Sequence, residues 1–165
     1  MIAPAADAQG RWGSLDHFGQ WLAPPSLEYA GAFDDARLSP FKHAGLWGYA
    51  DASGNHRVPA RFTQAAPCHH GLAMVRTDQG AAYADTTGTI VIAGPFAAAG
   101  PFGPVGLGSV RLQSTGLCGY VDRHGRLAVP ARFDGTHPCG ARYGWGDLWG
   151  LVDTAGHSSW TPPAA

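Results

Sequence analysis

Apolar and polar positions along this chain alternate in runs too short for helices, and Gly, Asp and Pro interrupt the runs at regular intervals. In LWGYAD (46–51), Trp47, Tyr49 and Asp51 fall on one side of an extended chain and Gly48 and Ala50 on the other, because side chains alternate along a strand. In HRVPARF (56–62), Val58, Ala60 and Phe62 share one face while Pro59 and Arg61 share the opposite one. Two strands are therefore predicted, each with its bulky face turned to the core. The proline in the second predicts an edge or a bulge, where its missing N–H costs no ladder bond. The pair recurs: GLWGYADASGNHRVPARF (45–62) is followed by GLCGYVDRHGRLAVPARF (116–133).

Between the two strands stands the element D-x-x-G, at Asp16–Gly19, Asp51–Gly54, Asp85–Gly88, Asp122–Gly125 and Asp153–Gly156, with spacings of 35, 34, 37 and 31 residues. Asp can accept bonds from backbone N–H groups ahead of it and Gly takes a positive φ without strain, so the element reads as a tight hairpin turn. A third strand precedes most hairpins: LAMVRT, SVRLQS and ARYGW. A period in this range predicts stacked supersecondary units. The expected fold is all-β, with antiparallel β-meander repeats of three strands, curved into a propeller-like or barrel-like body. One domain spans 1–165, with repeats near 11–44, 45–79, 80–115, 116–146 and 147–165, the first and last being atypical caps.

The recurring W-G-x-x-D-x-x-G, then V-P-x-x-F, then G-L-A-x-V, most complete from Leu46 to Val75, resembles the WG (KWG) repeat family of largely bacterial proteins. The dipeptide stands at Trp12-Gly13, Trp47-Gly48 and Trp149-Gly150, in register with the turns, and the resemblance runs from about Arg11 to Pro163. It implies an all-β interaction module and brings no catalytic residues with it. Cys118 replaces Trp in the fourth repeat, and Ala60 and Ala131 replace a second proline of the pattern.

Composition narrows the function. A chain of 165 residues buries roughly 70% of its unfolded surface and needs no staples. The formal charge of −1 removes the clustered cationic surface that nucleic acid and anionic membrane require, so neither is an expected partner. No basic segment leads into an apolar run at the N-terminus, and cytoplasmic residence is expected. Three widely spaced cysteines, Cys68, Cys118 and Cys139, fit reduced thiols.

The residues that could carry chemistry each have a simpler account. Cys68-His69-His70 and His137-Pro138-Cys139 offer zinc-type ligands, but no C-x-x-C or H-x-x-x-H spacing, and the cysteines occupy equivalent repeat positions, as small buried residues would. Cys68 and His69 are neighbours on an extended strand and so point apart, which does not suit a nucleophile–base pair. His17, His56, His124 and His157 lie on or just after the turns and read as solvated. Each turn supplies one carboxylate, which suits capping better than calcium. The motif tryptophans are expected in the core, and sugar stacking is left to Trp21, Trp145 or Trp160.

What remains is a binding reading. No catalytic residue, metal or cofactor is expected. The residues QAAPCHHG, AAAGPFGPVGLG and GTHPCG read as loops on a regular scaffold, where recognition usually sits. The expected function is that of a non-enzymatic protein-binding module, an adaptor or an immunity protein for a cognate toxin or enzyme. Its expected contact residues are Arg61, Arg132, His69, His70, His137 and Trp145, the arginines because Arg is a favoured interface anchor. A glycan or small-ligand binder and a self-associating structural module are the alternatives.

Overall fold

In a computed structural model of the protein, the described residues are 3–34, 36–103, 105–136, 142–145 and 148–151, with 135–136, 142–145 and 148–151 described as backbone alone. Every regular element among them is a β-strand, and these strands pair antiparallel. The chain divides into two compact units, Met1–Asp78 with Tyr83–Ile90, and Gln79–Ala82 with Val91–Ala165.

In the first unit, β1 (Ala3–Ala6), β2 (Trp12–Leu15) and β3 (Trp21–Leu27) form one sheet in that order. A second sheet runs β4 (Tyr29–Ala30), β5 (Leu38–His43), β6 (Leu46–Asp51), β7 (His56–Phe62). The hairpin β8 (Gln64–His69) and β9 (Leu72–Thr77) follows, and β10 (Gly80–Asp85) has residues in both units. In the second unit, β11 (Ile90–Phe102), β12 (Gly108–Leu112), β13 (Cys118–Val121) and β14 (Leu127–Phe133) pair in sequence order, and β15 (Gly135–Thr136), β16 (Arg142–Trp145) and β17 (Leu148–Leu151) form a further sheet. The all-β meander repeat is as expected. Among the described residues each sheet keeps two edge strands, so none closes on itself as a barrel.

In the interior repeats the unit has four strands rather than three, as in β4–β7, while the sheets β1–β3 and β15–β17 have three. The segments read as loops, QAAPCHHG and most of AAAGPFGPVGLG, are strand β8 and the second half of β11. Their Gly and Pro residues are tolerated because the strands are bulged: β11 shifts register between Phe96 and Ala98 and again between Ala99 and Phe102, while Phe96 and Phe102 remain buried. The short connections are type I′ hairpins with two successive positive φ values, Ala44 (51°) and Gly45 (79°) between β5 and β6, and His70 (53°) and Gly71 (81°) between β8 and β9.

The D-x-x-G turns share one hydrogen-bond set. At Asp51, the backbone N–H donates to the Asn55 carbonyl, the Gly54 N–H donates to the Asp51 carbonyl, and Oδ1 accepts from the Ser53 and Asn55 N–H groups. Asp16, Asp85 and Asp122 repeat it. Two further turns of this geometry, Asp7–Gly10 and Asp34–Arg37, went unread in the sequence. Asp153–Gly156 lies outside the described residues.

The two halves of the repeat motif turn out to be two sides of one bulge. Trp47 faces Phe62 and Tyr49 faces Val58, so Gly48 alone opposes Pro59, Ala60 and Arg61. The extra chain folds inward over the glycine. A Cβ at Gly48 would overlap the Val58 carbonyl oxygen and come within 2.9 Å of Ala60 N and of Phe41 Cζ. In the second unit, Cys118 faces Phe133 and Tyr120 faces Val129, and a Cβ at Gly119 would stand 2.6 Å from the Val129 oxygen. Pro59 lies in the extra chain, where the bulge gives its missing N–H no ladder bond to break.

Neighbouring repeats meet through the turns. The residue seven positions after each Asp, in the second strand, receives the next turn: Gly54 sits on Ala23, Gly88 on the Val58 side chain at 2.5 Å from a Cβ position, and Gly125 on Ile92 at 3.1 Å. These receiving residues are core in Val58 (1% exposed) and Ile92 (2%). The core aromatics are Tyr49, Tyr83 and Tyr120 with Phe41, Phe62, Phe96, Phe102 and Phe133. Tyr49, Val58 and Phe62 face inward as expected, and Pro59 and Arg61 face outward. The motif tryptophans do not join them: Trp12 and Trp47 are half-buried. Trp47 comes one residue after the strand start, next to the Ala44–Gly45 turn, and its ring therefore covers the rim of the core that Tyr49 fills.

Candidate functional site

Three aromatic rings line up across the first unit. In the second sheet, register places Tyr29 opposite Lys42, Lys42 opposite Trp47, and Trp47 opposite Phe62, so these side chains form one row on one face. The Tyr29 ring lies 5.3 Å from Trp47 at an interplanar angle of 60°, and 5.5 Å from Trp12 of β2 at 46°. Tyr29 is 41% exposed, and Trp12 and Trp47 are half-buried, so the ladder presents ring surface to solvent while standing on the core. Tilted aromatic pairs at this separation add about 0.5–1.5 kcal/mol each beyond area burial, which makes the ladder stiff before anything binds.

Polar groups frame it. Lys42 Nζ approaches Glu28 Oε2 at 3.9 Å, and the Gly45 N–H donates to Glu28 Oε1 at 3.1 Å. Leu46, at the adjoining strand start, is exposed. The aromatic–aliphatic–charged mixture is the chemistry of a protein-interface centre. The sequence shows Trp12 and Trp47 plainly. It does not show Tyr29 between them, since Tyr29 follows the irregular return strand PPSLE and lies in no motif.

The residues singled out from sequence are dispersed. Arg61 is exposed, yet its guanidinium lies 5.0 Å over the Phe62 ring and donates to the carbonyl of Gly88 in the following turn. It braces two neighbouring repeats of the first unit. Arg132 belongs to the second unit, exposed, with its guanidinium 5.2 Å over Phe133. His69 is an exposed strand-end residue, and His70 is held in left-handed conformation by the hairpin turn. His137 lies outside the described residues, as does the Trp145 side chain.

Cys68 is buried and forms no disulfide, as expected for a small core thiol, and Cys118 is likewise buried; Cys139 lies outside the described residues. The Cys68 N–H donates to Asp34 Oδ2 at 2.8 Å, and nearby the Tyr49 hydroxyl donates to the Ala66 carbonyl at 2.6 Å. Burial, with lesser contributions from Cys68 and Asp34, raises the Tyr49 phenol well above its ordinary range, so it stays a donor. Among the described residues no three His, Cys, Asp or Glu side chains converge in a metal-holding group. Among them, too, no helix is long and apolar enough to cross a membrane.

A cleft beside β2, β3 and β5 has about 110 Å³ of room for water-sized molecules and is lined by Pro4, Gly13, Ala23, Ser14, Ser39 and His56, among others. Several of its polar side chains are already engaged: Ser14 Oγ donates to Ala52 O, Ser39 Oγ to Gly31 O, and the His56 ring stacks on Phe41 at 4.2 Å. It lacks free, convergent polar groups of the kind that fix a ligand's orientation.

Comparison with known families matches the WG-containing repeat at residues 47–79 and again at 119–138. No curated protein and no solved structure matches the chain. The two matched stretches take in Gly48 and Gly119, each folded over by its V-P-A-R-F strand, and over these stretches the chain is similar to the WG-containing repeat.

Proposed function

We propose that this chain is a non-enzymatic protein-binding module that engages its partner through the Trp12–Tyr29–Trp47 face. The observation that carries the reading is the ladder itself, three tilted rings on two sheets of the first unit, partly exposed and rimmed by the Glu28–Lys42 pair. Trp and Tyr supply large rigid contact area at small entropic cost, and they dominate interface hot spots. An adaptor, or an immunity protein occupying a toxin or another enzyme, is the role such a surface suits, and the partner is a protein in either case.

Interplanar angles of 46° and 60° favour this over a glycan platform, which needs a ring face laid flat to a sugar. A photo-crosslinking residue at position 29, introduced into the protein in cells of its source organism, is expected to trap one protein. The same group at position 21, exposed but outside the ladder, is expected to trap none. Equal labelling from both positions, or labelling of carbohydrate alone, overturns the reading.

A further inference from the structure

Three turns of the first unit border a second groove of about 530 Å³, lined by Ala36, Arg37, Leu38, Asp51, Arg57, Thr86 and Thr87. It is independent of the aromatic face. The Asp34 turn contributes Arg37, the Asp51 turn and β7 contribute Asp51 and Arg57, and the Asp85 turn contributes the two threonines.

The hydrogen bonds in this groove are unevenly filled. Among the described residues, the carboxylates on its border are occupied by donors. Asp51 accepts from the Ser53 and Asn55 N–H groups and from the Asn55 side-chain amide. Asp34 accepts from the Ala36, Leu38 and Cys68 N–H groups, and Asp85 from the Thr87 and Thr89 N–H groups and the Thr87 hydroxyl. The two guanidiniums, by contrast, donate no hydrogen bond to any described residue, and Arg37 and Arg57 are both exposed to the groove's solvent. Two guanidiniums and one carboxylate line the groove, and the guanidiniums are its charged donors.

Arg37 is also where a local rule is broken. In the turns headed by Asp7, Asp16, Asp51, Asp85 and Asp122 the fourth residue is Gly, at φ between 76° and 86°. In the Asp34 turn that place is taken by Arg37, at φ 58°. A side-chain-bearing residue in the left-handed region is strained relative to glycine, and such strain gathers where a side chain has work to do.

We propose that Arg37 and Arg57, with the hydroxyl of Thr86, form a site for a phosphate group carried by a small ligand. Two guanidiniums present planar forks of N–H donors, the geometry that takes phosphate oxygens in pairs, and a hydroxyl adds a further donor. The ligand class follows: an acceptor-only, anionic group of tetrahedral shape, as inorganic phosphate or as a phosphate monoester.

The test is a titration of ¹⁵N-labelled protein with inorganic phosphate, and separately with phenyl phosphate, at ionic strength held constant with sodium chloride. Saturable shifts at Arg37, Arg57, Thr86 and Thr87 are expected for one or both. Stronger binding of phenyl phosphate assigns the site to monoesters, and stronger or equal binding of phosphate assigns it to the free ion. Replacing either arginine by alanine is expected to weaken binding on the order of tenfold, and replacing both to abolish it. Arg37→Gly separates ligand binding from a structural role: it restores the usual turn residue, so thermal stability holds or rises while phosphate binding falls. Shifts that fail to saturate, that persist in the double variant, or that acetate reproduces equally overturn the proposal. So does an Arg37→Gly protein that binds phosphate as well as the parent.

Discussion

Gly48→Ala isolates the contact on which the repeat motif rests. Gly48 has no positive φ, so alanine meets no backbone penalty there and the whole effect comes from space. The new methyl would overlap the Val58 carbonyl oxygen and stand 2.9 Å from both Ala60 N and Phe41 Cζ. Two of these three are main-chain atoms of the bulge, and no rotamer change relieves them. The Phe41 ring is itself 1% exposed and has nowhere to go. Overpacking of a filled core costs about 1–3 kcal/mol and sometimes more, and a clash against backbone on two sides belongs at the upper end, about 3 kcal/mol. Gly45→Ala is the control: its φ is 79° but no atom lies within 4 Å of the added methyl, so it loses only the left-handed preference, about 1 kcal/mol. Urea denaturation followed by tryptophan fluorescence compares the two. Gly48→Ala is expected to have much the lower midpoint, or to fail to fold where Gly45→Ala folds. Equal midpoints would refute the view that W-G and V-P-x-x-F are two sides of one bulge.

Other consequences follow from single contacts. Tyr49→Phe removes a buried hydroxyl and leaves the Ala66 carbonyl unpaired, a loss of about 1 kcal/mol in the same denaturation assay; an unchanged midpoint counts against that bond. Gly54→Ala sets a methyl on Ala23 Cβ, and adding Ala23→Gly is expected to recover the steric part of the loss while leaving the strain of φ 81°, so a strictly additive double-mutant cycle contradicts turn-on-strand stacking. The turn aspartates predict acid sensitivity. The Gln20 and Phe18 N–H groups hold Asp16 below the ordinary 3.8, the Arg126 and His124 N–H groups do the same for Asp122, and the Thr87 hydroxyl and N–H do so for Asp85. Since the folded-state values are the lower ones, this stabilisation is fully present above the unfolded-state value and is lost as pH falls through the folded-state values. Melting temperature is expected to fall steadily below about pH 4, and a flat profile down to about pH 2.5 would remove the aspartates from the account.

Much of the fold was legible because its punctuation is local. An Asp that caps its own turn and a Gly that ends it declare themselves in four residues, and Pro59 announces a bulge by lacking an N–H. Asp7–Gly10 escaped because it follows Asp16 backwards by nine residues, off the repeat period, and Asp34–Arg37 because it ends in Arg instead of Gly. The fourth strand of the interior repeats was hidden by its own composition: Pro67 in β8 and Pro95 and Pro101 in β11 look like loop residues until the register shifts that house them are seen. The candidate site was half visible. Alternation alone cannot distinguish Trp47, at the strand's rim, from Tyr49, two residues further in, and both were expected in the core. Arg61 was placed on the correct face, but its bond to Gly88 joins residues 27 apart in sequence and leaves no local mark.

The central functional claim is that a protein partner docks on the Trp12–Tyr29–Trp47 ladder. The most direct measurement is quantitative affinity capture from source-organism lysate with the parent protein, Tyr29→Ala and Trp21→Ala side by side, after each variant is shown to fold. Tyr29→Ala removes the ring that bridges both tryptophans, and hot-spot truncation of this kind costs about 2 kcal/mol or more, roughly thirtyfold in affinity. The account predicts one stoichiometric protein retained by the parent and by Trp21→Ala and lost by Tyr29→Ala. A partner held equally by all three places the docking surface elsewhere and contradicts the claim, and so does a parent protein that retains nothing but itself.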